Sequence, residues 1–347
     1  MLNLALSNAS GKRVSGVLID EIDVQIDCIL RIRARCSQGN KMKRIFRYKS
    51  TASTAFGSAA GMATVLVWSL AAPVVTYAVG IDPFLYVALG DGIGATVFLL
   101  TWLRLRQNPL PELKGVPVWF YGLGLIGIGV HNLTWVAALQ QAPPLEATLL
   151  VYTWPLLVII FTTVSLGQKF QWYHLVAGVV GLAGIVALLM GRGLGFGSFQ
   201  LAPGHIWAIV SALSWSIFSA ISARYPYQSS NFLGVVFFLS SIINGSIWFF
   251  VQRAPSAPAQ SLLIAGVAAI FFTCCYAMWD FSMKHGNTQL VGVVSFLTPV
   301  LSTVYLVLFG MAELTGYLIV SLMLVITGIG IAKYGESIRI AIIPLSG

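Results

Sequence analysis

Apolar residues run through this sequence in long unbroken blocks, and the polar residues collect in the short gaps between them. From residue 56 onward the blocks fall at roughly 56–79, 83–105, 116–139, 144–166, 173–190, 203–222, 231–251, 260–283, 287–309 and 313–334. A helix of about 20 apolar residues crosses a bilayer, so the pattern predicts ten membrane-spanning helices. The gaps are short, which makes neighbouring helices antiparallel hairpins. Gly178, Gly181 and Gly184 recur at every third position, and Gly90 and Gly94 form a small-xxx-small pair. Both patterns let helices approach closely in lipid.

The blocks also repeat. Trp135 precedes Pro155 by the spacing that separates Trp279 from Pro299, and the shift of 144 carries Gly184 onto Gly328 and Gly191 onto Gly335. The predicted halves are 56–190 and 203–334, between an extension, 1–55, and a tail, 335–347. Five helices per half is an odd number, so the second half must be inverted. The expected fold is an all-α integral membrane protein, with ten transmembrane helices in two inverted five-helix repeats. A duplicated bundle with an interrupted helix in each half points to a transporter.

Composition strengthens this picture. Hydrophobic residues make up 57% of the chain and charged residues 9%, against about a quarter charged in an average soluble domain. No soluble catalytic domain fits in what remains. The net charge of +9 does not mark a nucleic-acid binder, because the cations sit in the extension and at helix ends. With the N-terminus in the cytoplasm, that side holds ten N-terminal cations with Arg104, Arg106, Lys114, Lys169, Arg224, Lys284, Lys333 and Arg339. The other side holds Arg192 and Arg253. This asymmetry places both termini in the cytoplasm. The stretch Asp20–Asp27 is too charged to span and too acidic for a signal-peptide core. The extension reads either as a cytoplasmic tail or as sequence upstream of a start at Met42, where Met42-Lys43-Arg44 gives a basic lead. Cys28, Cys36, Cys274 and Cys275 form neither a disulfide framework nor zinc spacing.

The tract Leu145-Glu146-Ala147-Thr148-Leu149-Leu150, then Pro155, then Leu166-Gly167-Gln168-Lys169, resembles the signature of the drug/metabolite transporter superfamily with its EamA repeat. Finer motifs are similar to the aromatic amino acid exporters of bacteria. They are Leu66-Val67-Trp68-Ser69, Tyr152-Thr153-Trp154-Pro155, Tyr276-Ala277-Met278-Trp279, His285-Gly286-Asn287 and Ser295-Phe296-Leu297-Thr298-Pro299. The resemblance runs from about residue 56 to 335. It implies two inverted repeats around a central cavity, and export of aromatic or related neutral amino acids across the inner membrane. Asp91 and His131, inside helices, depart from the family pattern.

Individual residues sharpen the expectation. Pro155 and Pro299 sit mid-helix, where each frees a backbone carbonyl; they read as paired hinges or as static kinks. Trp68, Trp154 and Trp215 fall near mid-depth, where an indole needs a partner or a cavity. They are candidate substrate contacts, with Ser69, Tyr152, Ser295 and Thr298 as polar ones; the alternative is core packing. Trp135 and Trp279 lie near helix ends and are expected at the membrane interface. Asp91 carries the highest insertion cost, about 2.5–3.5 kcal/mol. It and His131 are both roughly 12 Å deep at 1.5 Å per residue, on consecutive helices. They could form a proton-linked pair or a structural hydrogen bond. Glu146 suits a helix N-terminus, and Asp280 with Lys284 suits an i,i+4 ion pair.

Other chemistry is not indicated. Gly122-Leu123-Gly124-Leu125-Ile126-Gly127 spells a dinucleotide fingerprint, but it lies in a membrane helix with no strand before it. Asn132-Leu133-Thr134 spells a glycosylation site inside an apolar block. No metalloprotease, Gly-x-Ser-x-Gly or Walker pattern occurs, so no metal, cofactor or ATP hydrolysis is expected. An exporter of small metabolites using alternating access is the leading function. A carrier for other metabolites or drugs, an integral membrane enzyme and a scaffold are the alternatives.

Overall fold

A computed structural model describes residues 51–70, 80–142, 144–168, 171–191, 201–252 and 257–342. The expectations for residues 1–50, Met42, Lys169, Arg192, Arg253 and the end of the tail lie outside these residues. The described chain is helical throughout. Its main helices are α1 (Thr51–Trp68), α2 (Pro83–Arg104), α3 (Val118–Gln141), α4 (Glu146–Ser165), α5 (Trp172–Met190), α6 (Pro203–Arg224), α7 (Phe232–Val251), α8 (Ala259–His285), α9 (Thr288–Leu308) and α10 (Gly316–Ile342). Among the described residues nine of these, α2 to α10, are long and apolar enough to cross a membrane. The tenth expected span is described only as far as α1 and the turn after it; residues 71–79 lie outside.

Local sequence explains the helix ends. Asp82 caps α2 by accepting from the amides of Phe84 at 2.9 Å and Leu85 at 3.3 Å, ahead of Pro83 at the first helical position, where its missing N–H costs nothing. Asn287 caps α9 through the Leu290 amide at 3.0 Å. α4 and α9 stop alike. Gly167 and Gly310 take φ of 61° and 70°. The next amides, of Gln168 and Met311, reach back to the carbonyls of Thr163 at 3.0 Å and Leu306 at 2.8 Å. This is the Schellman stop, which glycine adopts without a steric penalty.

The two halves are wound together. α5 packs along α10 and α2 along α7, while α3 lies on α6 and α1 on α8, so the partners exchange between halves. Reciprocal contacts show the antiparallel register. A methyl on Gly191 would sit 2.2 Å from Tyr317 Cβ, and one on Gly335 would sit 2.4 Å from the Tyr173 ring. Gly191 and Tyr317 bear the same relation as Gly335 and Tyr173 under the 144-residue shift. The core centres on Phe120, Trp215, Phe218 and Trp279, with a second cluster of Ile185, Phe296, Val300 and Val325 where α5, α9 and α10 meet. Leu99, Leu103, Phe250, Phe271 and Met323 face outward, as lipid-facing residues must in the absence of a hydrophobic drive to bury them.

The glycine motifs divide by role. Gly178 faces Leu156, Gly181 faces Phe296 and Gly184 faces Val325, as close packing requires. Gly94 packs on Phe237 and Thr273, but nothing lies within 4 Å of a methyl added to Gly90. In the nucleotide-like motif, Gly124 and Gly127 admit Val236 and Phe218 instead.

Candidate functional site

Two breaks in the helices organise the site. α4, whose first helix begins at Pro144 just before the apolar span, is broken into Pro144–Val151 and Trp154–Ser165, and α9 into Thr288–Val294 and Leu297–Leu308. Each break falls a few residues before its proline, Pro155 or Pro299. The missing proline N–H and the turn before it leave backbone groups that only protein or cavity can satisfy in a bilayer. Beside the break in α4, the Trp154 carbonyl accepts from Ser216 Oγ at 3.1 Å.

Beside these breaks lies a cavity of about 180 Å³. One wall is aromatic. Trp68 of α1, Trp154 of α4, Trp215 of α6 and Tyr276 of α8 line it. The ring centroids of Trp68 and Trp215 are 5.6 Å apart, those of Trp68 and Tyr276 5.7 Å, and those of Trp215 and Tyr276 5.6 Å, all edge to face. Trp279 backs this wall, 5.4 Å from Trp154 and 5.5 Å from Trp68. Each such pair contributes about 0.5–1.5 kcal/mol beyond the area it buries, so the box is held rigid before any ligand enters.

The other wall is polar. Asp91 of α2, His131 and Asn132 of α3 and Thr298 of α9 line the same space. The Asp91 carboxylate accepts from Ser240 Oγ of α7 at 2.5 Å. His131 places Nδ1 3.0 Å from the Ser211 carbonyl and stacks on Trp215 at 5.2 Å. Nδ1 lies 3.0 Å from Ser211 Oγ as well. Asn132 Oδ1 accepts from the Tyr276 hydroxyl at 2.6 Å. Residues 125–130 form a π-helical segment directly before His131; its wider turn resets the face that His131 and Asn132 present.

Of the residues expected at the site, Trp68, Tyr152, Trp154, Trp215, Thr298, Asp91 and His131 line the cavity. Ser69 and Ser295 do not. Both are fully buried and donate to their own helices, Ser69 to the Val65 carbonyl at 2.6 Å and Ser295 to that of Val291 at 2.8 Å. Asp91 and His131 share the cavity but form no ion pair with each other, since α2 takes its partner from α7 and α3 takes its partner from α6. The interface expectation fails for two tryptophans. Trp279 is fully buried, with its indole N–H on Ser219 Oγ at 2.9 Å, and Trp135 lines the cavity. Half-exposed Trp119 and Trp172 stand at the starts of α3 and α5, the kind of position that interface tryptophans favour.

Sequence reasoning missed Tyr86, Gly90, Asn132, Phe237, Thr273 and Tyr276, which also line the cavity. The repeat held a signal for two of them. Asn132 and Tyr276 are 144 residues apart and bonded to each other, as equivalent residues near a two-fold axis must be. Glu146, expected only as a helix-end carboxylate, also lies 2.6 Å from His205 Nε2, joining α4 to α6. Asp280 and Lys284 do pair, at 2.5 Å, but both are buried, with Ser222, Ser230 and the Gln228 carbonyl completing the cluster.

Comparison with known proteins matches this architecture. The EamA-like transporter family matches residues 55–190 and 202–333. The aromatic amino acid exporter YddG of Ancylobacter novellus is 31% identical over 281 residues, covering 78% of this chain and 95% of that protein. The aromatic amino acid exporter YddG of Escherichia coli K12 is 26% identical over 219 residues, 60% of this chain and 71% of that protein. A protein of known crystal structure superposes with a TM-score of 0.73 at 28% identity, covering 82% of this chain and 98% of its own.

Proposed function

The chain belongs to the EamA-like transporter family, and from that premise we propose that it exports aromatic and related neutral amino acids across a bacterial inner membrane by alternating access. The observation that carries this reading is the cavity itself, with Trp68, Trp154, Trp215 and Tyr276 on one side and Asp91, Asn132 and Thr298 on the other. A flat side chain stacks among the tryptophans while the ammonium and carboxylate of the amino acid meet polar groups. Four helices from both halves supply the aromatic wall, so relative movement of the halves would dismantle it. Pro155 and Pro299, at matched breaks, act as the hinges.

In this reading the repeats are 56–190 and 203–334, both termini are cytoplasmic, and the chain carries out transport rather than catalysis. Thr298 is suited to a substrate contact, because it lines the cavity and its buried hydroxyl has no hydrogen-bond partner among the described residues. Such a group gains a hydrogen bond on binding at no cost to an existing one.

Counterflow in proteoliposomes tests the reading. Labelled phenylalanine should accumulate in vesicles preloaded with unlabelled phenylalanine, and leucine should compete more weakly. Accumulation no greater than in protein-free vesicles, for phenylalanine, tyrosine and tryptophan alike, would refute it.

A further inference from the structure

The cavity is unbalanced in charge. Among the described residues its lining contains one carboxylate, Asp91, and neither lysine nor arginine. Among the described residues Lys284 is buried beside Asp280 instead, and Arg104 and Arg224 stand at helix ends. His131 engages Ser211 through Nδ1, 3.0 Å from both its carbonyl and its hydroxyl, and as a neutral ring brings no counter-charge for an anion. A bound ammonium group would therefore find a counter-charge, and a bound carboxylate would find only neutral groups.

The aromatic wall has the same preference. The faces of tryptophan rings attract cations and repel anions. A buried carboxylate without a cationic partner is costly, whereas an ammonium paired with Asp91 leaves the filled cavity neutral. The feature belongs to this one cavity wall and is not shared by the repeat, because the position equivalent to Asp91 under the 144-residue shift is Val235.

Taking the cavity as the transport site, we propose that it also binds and exports arylalkylamines, compounds with an aromatic ring and a primary ammonium but no carboxylate, with Asp91 as their counter-charge. The amino acid then becomes the more demanding ligand, since its carboxylate must be satisfied by Asn132, Thr298 and indole N–H groups alone. An arylalkanoic acid, carrying only the anion, is the poorest ligand of the three.

A series with one ring and three charges tests this. 2-Phenylethylamine, phenylalanine and 3-phenylpropionate are titrated calorimetrically into the full-length protein in lipid nanodiscs. The amine is expected to bind at least as tightly as the amino acid, and about 10-fold or more tighter than the acid. Asp91→Asn should remove that preference by weakening the two ligands that carry an ammonium, the amine and the amino acid, and not the acid. An acid that binds as tightly as the amine overturns the proposal, and the wild-type series decides this even if the variant fails to fold. A folded Asp91→Asn protein that keeps wild-type affinity for the amine also overturns it. Counterflow with labelled phenylalanine is run on proteoliposomes made from the same purified protein. Phenylalanine transport without amine binding sinks this inference and leaves the amino acid reading standing. Amine binding and amine counterflow above protein-free vesicles, without phenylalanine transport, does the reverse.

Discussion

Removing either member of the Asp280–Lys284 pair should destabilise the protein more than the chemistry of one side chain suggests. Asp280 is fully buried and Lys284 is 2% exposed. The Asp280 carboxylate accepts from Ser222 Oγ, from Ser230 Oγ at 2.5 Å and from Lys284 Nζ at 2.5 Å. Lys284 Nζ also donates to the Gln228 carbonyl at 2.8 Å and lies 5.4 Å from the Phe232 ring centroid. Lys284→Met leaves a buried carboxylate with two hydroxyls and no cation. Asp280→Ala leaves a buried ammonium with one carbonyl, one hydroxyl and one ring, and no anion. Each single change should cost about 3–5 kcal/mol. The double variant Asp280→Ala/Lys284→Met removes both charges and strands only neutral groups, the two serine hydroxyls and the Gln228 carbonyl, at about 1–3 kcal/mol each. It should therefore cost roughly 3–9 kcal/mol, less than the sum of the two singles. Equilibrium unfolding in mixed dodecylmaltoside and dodecylsulfate micelles, followed by tryptophan fluorescence, measures all four proteins. Losses that add to within about 0.5 kcal/mol would refute the reasoning, because uncoupled groups do not share a buried site.

Other changes probe the cavity and the seam between halves. Gly90→Leu should abolish transport with little loss of folded yield in detergent, because nothing packs within 4 Å of the position and the new side chain enters the cavity; loss of folding instead would show that the position is packed. Trp154→Ala or Trp215→Ala should weaken aromatic substrates several-fold more than aliphatic ones, in line with about 0.5–1.5 kcal/mol per aromatic contact, as competition in counterflow would show. Equal losses for both classes would assign these residues to packing. Gly191→Ala and Gly335→Ala should each cost about 1–3 kcal/mol through overpacking on a tyrosine. Micelle unfolding checks this, and a neutral outcome for both would remove the close seam between α5 and α10.

Much of this molecule is legible along the chain, because a bilayer leaves few choices. Backbone groups must pair within helices, so the apolar blocks give the spans. The 144-residue repeat gives the antiparallel pairing, and Pro155 and Pro299 mark the two breaks. What hydropathy does not carry is rotation about a helix axis. Depth counted from segment ends placed Trp279 at the membrane interface, whereas the 27-residue α8 turns it into the core. Matched depth suggested that Asp91 meets His131, but their helices turn to different neighbours and the bonds go to Ser240 and Ser211. The Glu146–His205 contact joins residues 59 apart on different halves, and no local pattern announces it. Ser69 and Ser295 failed as candidates because a buried serine in a helix satisfies itself on the preceding turn.

The exchanged pairing of the halves also means that the protein carries a template for its other state. If each half adopts the conformation that the other holds here, the same contacts are regained across the seam and the cavity faces the opposite side of the membrane. The core permits that exchange because its tyrosines and glycines are duplicated. The Asp280–Lys284 cluster does not permit it without loss, for the equivalent positions are Val136 and Gln140. The exchange thus trades a closed polar knot for an end with nothing to tie. Under such an exchange the two faces of the transport cycle would differ in energy, with the balance set by unduplicated residues that do not line the cavity.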